Sequence, residues 1–276
     1  AAIGLVFTDD LRFVFADPIT SLFMHGVAEA TAAANLGLTL LPVPQDPAPA
    51  ELSLLDTPVD GYLLFSIADQ HPVFDELLTR GVPLVVIDEP DPGERCSFVG
   101  VDDRLGARLV AEHVAALGHT RIGVIAHRLS DTPRCRPVSD ADLTGATVGV
   151  VRDRYAGYVE GLGDVHPVAV WEAGGLTVDA GREAAVALHR AHPDVTAIMC
   201  MTDQLAIGAC TELERLGVAV PGDVSVTGYD DVPRAATWAP ALTTLRQPLR
   251  DKGRIAAGML LAQLDDREAP TVERVE

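Results

Sequence analysis

The chain has 276 residues, 48% of them hydrophobic, and a formal net charge of −19. That length accommodates one large domain or two intimate lobes. The charge repels nucleic acid, whose phosphates require clustered Lys and Arg, so these residues alone are not expected to grip DNA. No run nears the ~18 uninterrupted apolar residues of a membrane helix, and the N-terminus has no basic segment ahead of an apolar core. A cytoplasmic location is the expectation.

From the N-terminus, short apolar runs alternate with amphipathic stretches. Ile3–Phe7, Leu38–Val43, Gly61–Phe65, Leu84–Ile87 and Phe98–Val101 read as strands. Ile122–Ala126, Val168–Trp171, Ala197–Met201, Val224–Tyr229 and Leu242–Leu245 continue the series. Helical patterns fall at Pro18–Ala34, Val73–Arg80, Arg104–Leu117, Arg154–Leu162, Val178–Ala191, Gln204–Leu216 and Leu249–Leu264. This alternation specifies α/β architecture with parallel sheets and helices on both faces. The strands are too numerous for one sheet of usual size, so two doubly wound sheets of about five or six strands each are predicted. A break falls near Gly100-Val101-Asp102-Asp103.

Local signals support individual elements. Asp102 and Asp103 can cap the helix that follows them. Leu105, Leu109, Val110, Val114 and Leu117 recur near the helical period and predict one apolar face. Gly118 and Gly217 are expected to end their helices in the left-handed conformation, and Asp203 is expected to cap the helix from Gln204. The polar segment from His127 to Gly149, with Pro133 and Pro137, lacks a clear period and reads as an irregular, partly disordered loop.

Other chemistries find little footing. Lys252 is the one lysine beside twenty arginines, which removes a P-loop lysine and any Schiff-base cluster. Cys96, Cys135, Cys200 and Cys210 form no C-x-x-C pair and are expected to be reduced. His25, His113, His119 and His127 show no metal spacing, and His189 and His192 lack a third ligand. No nucleophile elbow stands out. Neither a cofactor, a metal site nor catalysis is expected.

The stretch Pro221-Gly222-Asp223-Val224-Ser225-Val226-Thr227-Gly228-Tyr229-Asp230-Asp231 and its continuation Leu242-Thr243-Thr244-Leu245-Arg246-Gln247-Pro248 end two β-rich runs on polar side chains. Ligands of open α/β sheets sit at the carboxyl ends of strands. Asp230 and Gln247 are therefore candidates to hold a small polar molecule. Asp230 would accept hydroxyls; the alternative is a turn cap. Asp231 reads as structural. Arg154, with Arg152 as a weaker second, would donate a planar fork to oxygens. An arginine opening a helix opposes the helix dipole, which favours a functional role over a plain surface arginine. Asp88 is a further candidate by position.

These stretches also resemble the lactose-repressor (LacI/GalR) family of bacterial transcription regulators, in the part that senses the effector. The resemblance extends to Ile3-Gly4-Leu5-Val6, Phe15-Ala16-Asp17-Pro18, Val59-Asp60-Gly61 and Gly81-Val82-Pro83 through Asp88. It continues through Val99-Gly100-Val101-Asp102-Asp103, Leu117-Gly118-His119-Thr120-Arg121-Ile122-Gly123, Arg154-Tyr155-Ala156-Gly157-Tyr158 and Asp203-Gln204-Leu205-Ala206-Ile207-Gly208.

The resemblance implies a periplasmic-binding-protein-like core of two lobes around a ligand cleft. The lobes would be 1–102 with 247–268, and 103–246 with 269–276. It implies that the family's helix-turn-helix head is absent from this chain and that the chain stops about where a last short strand begins. It places Phe13 and Phe15 in a loop that stacks an aromatic on the effector; ordinary core or lid packing is the alternative. It places Asp230, Arg154 and Gln247 at the effector, Thr202 where Asn or Ser is usual, and Leu176 where an aromatic is frequent. It also implies a homodimer using the helix after Asp203 and the segment Pro233–Trp238, with Trp238 at the contact. The expected partners are a sugar- or nucleoside-class effector, a second copy of the chain, and operator DNA through the head alone, with no membrane. One rival is a periplasmic solute-binding protein of a transporter, which shares the fold; the other is an enzyme using Asp230, Asp231 and Arg154.

Overall fold

A computed structural model of the protein describes residues 2–130, 132–265 and 271–275. The chain divides into two compact units, Ala1–Asp102 with Pro248–Glu276, and Asp103–Gln247. In chain order the first stretch carries β1 (Ala2–Phe7), α1 (Leu11–Ala16), α2 (Pro18–Ala33), β2 (Gly37–Pro42), a 3-10 helix (Pro49–Asp56), β3 (Gly61–Phe65), α3 (Pro72–Arg80), β4 (Leu84–Ile87) and β5 (Ser97–Gly100). The second unit holds α4 (Asp103–Ala116), β6 (Ile122–Ala126), β7 (Arg136–Pro137), α5 (Asp140–Thr144), α6 (Gly149–Leu162), β8 (Ala169–Glu172), α7 (Val178–Ala191), β9 (Ala197–Cys200), α8 (Asp203–Arg215), β10 (Ser225–Thr227) and α9 (Pro233–Thr237). The chain then returns to the first unit with α10 (Leu249–Leu264) and β11 (Val272–Arg274).

The first unit is built on a parallel sheet of order β11-β5-β4-β3-β1-β2. Strands β3, β4 and β5 are buried along their whole length. Both faces are covered, which is why these strands read as continuous apolar runs and not as alternating ones. Phe23 and Val27 of α2 share one core with Ala256, Ala257 and Leu260 of α10, and Phe23 stacks on Phe65 with 4.4 Å between ring centroids. Val73, Phe74 and Leu77 of α3 belong to a separate core. Helices α2 and α10 approach so closely that a Cβ at Gly253 would overlap the carbonyl oxygen of Phe23.

The second unit is built on the order β10-β9-β6-β8-β7, with β7 antiparallel to β8 and the remaining pairs parallel. Helices α4 and α6 contribute to one core, α7 and α8 to another. At the α4–α6 contact a Cβ at Gly157 would overlap the carbonyl oxygen of Arg104.

That contact corrects the expected face of α4. Its buried residues are Asp103, Gly106, Ala107, Val110, Ala111 and Val114, while Leu105, Leu109 and Leu117 are exposed. Close backbone approach admits small side chains and turns the leucines outward. Gly118 and Gly217 have φ of 84° and 83°, as their positions after α4 and α8 predict.

Four other expectations are corrected. Leu242–Leu245 forms no strand: Thr243 makes a single bridge to Thr227, and Arg246, just beyond, makes another to Asp230. The ladder breaks because β10 stops at Thr227 and Asp230 and Asp231 then take φ of 121° and 56°. Residues Val272–Arg274 form a strand, and it pairs with β5 in the first unit, not with the second lobe. There it supplies partners to the open edge of β5 through Phe98 N–H to Thr271 O and Val275 N–H to Gly100 O. The segment 127–149 is ordered in its described part, which contains β7 and α5. A capping box starts α5: the Ser139 hydroxyl accepts from Asp142 N–H, and the Asp142 carboxylate accepts from Ser139 N–H. Buried Glu172 accepts from Leu129 N–H and Arg136 Nε, each at 3.0 Å. Residues 11–16, expected in a loop, form the short helix α1, capped by the Asp10 carboxylate on Arg12 N–H and Phe13 N–H.

Among the described residues no helix is long and apolar enough to cross a membrane, and no group of three His, Cys, Asp or Glu could hold a metal. All four cysteines are free thiols.

Candidate functional site

In the second unit three of the candidate residues come together. Arg154 lies in the second turn of α6, because the helix begins at Gly149; the expectation that Arg154 opens the helix is corrected, and the dipole argument for it falls. The residue is 4% exposed. Its Nε donates to Asp103 Oδ1 at 2.8 Å, Nη1 donates to the carbonyl of Met201 just past β9, and Nη2 lies 3.8 Å from Asp230 Oδ1. The guanidinium also lies 3.7 Å over the Tyr229 ring. Burial works against the charge, but Asp103, Tyr229 and Asp230 outweigh it and hold the arginine's pKa above its ordinary value. Arg154 is therefore charged and fixed in direction.

Asp230 follows β10 and is 1% exposed. Its backbone is gripped on both sides: its N–H donates to Leu245 O at 2.8 Å, and its carbonyl accepts from Gln247 N–H at 3.2 Å. Gln247 Nε2 donates to Asp230 Oδ1 at 2.7 Å. Gln247 is the last residue of the second unit.

Asp203 holds the turn that carries Asp230. Its Oδ1 accepts from the Thr244 hydroxyl at 2.6 Å, its Oδ2 from Val232 N–H at 2.8 Å, and its own N–H donates to Tyr229 O. Burial pushes its carboxyl up to about 6, against the pull of those donors. The cap of α8 is Thr202, whose hydroxyl accepts from Leu205 N–H at 3.2 Å. Thr202 thus takes the cap expected of Asp203, and Asp203 braces the turn instead. Asp231 pairs with exposed Arg246 at 2.6 Å. Arg152 is half-buried and donates to Ala146 O.

Two residues here escaped sequence reasoning. His127 follows the end of β6, and burial, with Arg128 and then Arg154 adding to it, lowers its pKa to about 3, so the imidazole is uncharged. The Tyr229 hydroxyl is buried without a hydrogen-bond partner among the described residues, the ring serving as a platform for Arg154. Three further candidates belong to the second unit. Leu176 is half-buried ahead of α7. Pro233 opens α9 and is exposed, and Trp238 lines a cavity of about 350 Å³ with His113, Leu117 and Leu242.

The first unit has its own polar group at the carboxyl end of its sheet. Asp88 follows β4 with φ of 63°, and both its carboxylate oxygens accept from Lys252 Nζ at 2.8 Å. Ser66, after β3, has φ of 49°. Non-glycine residues with positive φ are uncommon and cluster at functional sites. Phe13 is half-buried and Phe15 is 67% exposed, on either side of buried Val14 in α1.

Comparison with known proteins is consistent throughout. The sequence model of the periplasmic binding protein-like domain matches residues 111–276. An HTH-type transcriptional regulator of Mycobacterium tuberculosis is 36% identical over 267 residues, covering 94% of this chain and 74% of that protein. The crystal structure of a LacI family regulator from Corynebacterium glutamicum superposes with a TM-score of 0.92 at 31% identity, covering all of this chain and 82% of the other. The chain belongs to the LacI/GalR family of transcriptional regulators. A structure of the regulator CelR in complex with cellobiose superposes with a TM-score of 0.84 at 27% identity, covering all of this chain and 81% of that one. These relatives of this LacI/GalR-family chain are transcriptional regulators. The arrangement in the second unit suits that class. It offers a fixed carboxylate, a fixed guanidinium and an amide.

Proposed function

We propose that this chain is the effector-sensing part of a cytoplasmic DNA-binding transcriptional regulator, and that its effector is a small polar molecule of the sugar class. The joining of Asp230, Arg154 and Gln247 at the carboxyl end of the second sheet carries this reading. Asp230 accepts from ligand hydroxyls, the Arg154 fork donates to ligand oxygens, and Gln247 does both. Thr202, Asp88, Leu176 and the aromatic faces of Phe13 and Phe15 complete the contacts. The CelR–cellobiose complex supports a sugar over a nucleoside or acid.

The effector couples to operator affinity by ~1–3 kcal/mol, as allosteric ligands typically do. It does so only through differential affinity for two states. Operator DNA is contacted through a segment outside these residues, in a homodimer whose contact includes Trp238 and Pro233. Calorimetric titration with sugars, nucleosides and small acids tests the reading. Binding of a sugar, weakened at least tenfold in Asp230→Asn, is expected; a folded sample that binds no class overturns it. Light scattering tests the dimer.

A further inference from the structure

Lys252 is the single lysine of the chain and is 1% exposed. Two circumstances oppose a lysine at that place. Burial of an ammonium is costly unless it is paired. The residue also lies in the first turn of α10, where the helix dipole disfavours a cation. The next inward-facing residues of α10 are Gly253, Ala256, Ala257 and Leu260, a small and apolar set that a methionine would continue without electrostatic cost. What compensates is Asp88, whose two oxygens both accept from Nζ at 2.8 Å.

Asp88 is itself unusual. Its φ is 63°, its N–H donates to Val99 O, and its side chain is 12% exposed. The carboxylate is thus pinned by backbone and cation while a small part of it stays accessible, at the end of a strand where open α/β sheets bind ligands.

We propose that Lys252 is a positioning residue of the effector site, holding the Asp88 carboxylate at the end of β4 so that it accepts from hydroxyls of an uncharged ligand. The proposal rests on the effector-sensing reading above. Lys252 is committed to Asp88, whose accessible carboxylate edge accepts from hydroxyls and repels a phosphate. A neutral polyol is therefore preferred to its phosphate ester.

The rival account makes Lys252 and Asp88 a plain clamp of α10 onto β4. Calorimetry with glucose, ribose, cellobiose and glucose 6-phosphate separates the two, run on the wild type and on the double variant Lys252→Met with Asp88→Asn. The double variant removes both charges at nearly constant shape and is expected to melt close to the wild type. The wild type is expected to bind a neutral sugar, and to bind glucose 6-phosphate at least a hundredfold more weakly than that sugar. The double variant is expected to bind the sugar at least tenfold more weakly than the wild type. Unchanged affinity in a folded double variant overturns the positioning role, and a tighter phosphate ester overturns the preference for an uncharged ligand. Should the double variant not fold, Asp88→Asn alone carries the same expectation and the same refutation. A folded wild type that binds none of the four counts against the effector-sensing reading itself, a separate failure.

Discussion

Each unit ends a strand on an aspartate with positive φ and sets a buried cation against it, but the two are held by different physics. In the first unit Asp88 is chelated by the compact ammonium of Lys252. In the second, the planar guanidinium of Arg154 is divided among Asp103, Asp230, a main-chain carbonyl and the face of Tyr229. Lysine acts as a point charge, whereas arginine presents a rigid fork and a face. The second aspartate is further secured by Gln247 and, through its turn, by Asp203. The first site is built around the Lys252–Asp88 charge pair, and the second around a network whose members fix one another.

Arg154→Met should be the most destructive single change. It leaves Asp103 and Asp230 buried without their cation, at a cost of about 3–5 kcal/mol, read by denaturant titration. Lys252→Met strands one carboxylate and should cost less; equal losses would break the contrast. The next effect concerns Asp203. Its carboxyl at about 6 lies above the ~3.9 of an unfolded aspartate, so the folded state holds the proton more tightly. Ionisation then penalises folding progressively as pH rises from about 4 to about 6. The stability of the wild type relative to Asp203→Asn should fall across that window by up to about 3 kcal/mol. A difference independent of pH would remove Asp203 from the network.

Gly253→Ala and Gly157→Ala test whether the helices that carry Lys252 and Arg154 are equally fixed. Each should lower stability by about 1–3 kcal/mol through overpacking, seen as a lower melting temperature; tolerance in one unit alone would show which helix pair can shift. The smallest expected effect is Thr202→Ala, a lost cap worth about 1 kcal/mol. A larger loss would tie Thr202 to the network beyond its cap.

Much of the fold was legible because doubly covered strands must be apolar throughout: Gly61–Phe65, Leu84–Ile87 and Ile122–Ala126 were bounded correctly from that alone. Helix ends marked by Gly118 and Gly217 were equally plain. The start of α6 is not, since Val148 and Gly149 supply no side-chain cap and Arg154 lies inside the helix instead of opening it. The leucines of α4 misled because periodicity reports an apolar stripe without saying how near the partner helix comes. Ser139 and Asp142 carried a capping signal that the surrounding prolines obscured. Pairings across long separations, such as Asp88 with Lys252, 164 residues apart, leave no local trace. The lysine's rarity was visible, but its partner was not.

The final strand has a practical consequence. Val272–Arg274 lies along the outer flank of β5, one hydrogen-bonded rung beside another. Shortening the polypeptide at its tail would strip that flank and leave a row of unsatisfied amides open to foreign backbones. A trimmed version should consequently clump more readily on storage or heating than the intact chain, even though every side chain at the strand tips is unchanged.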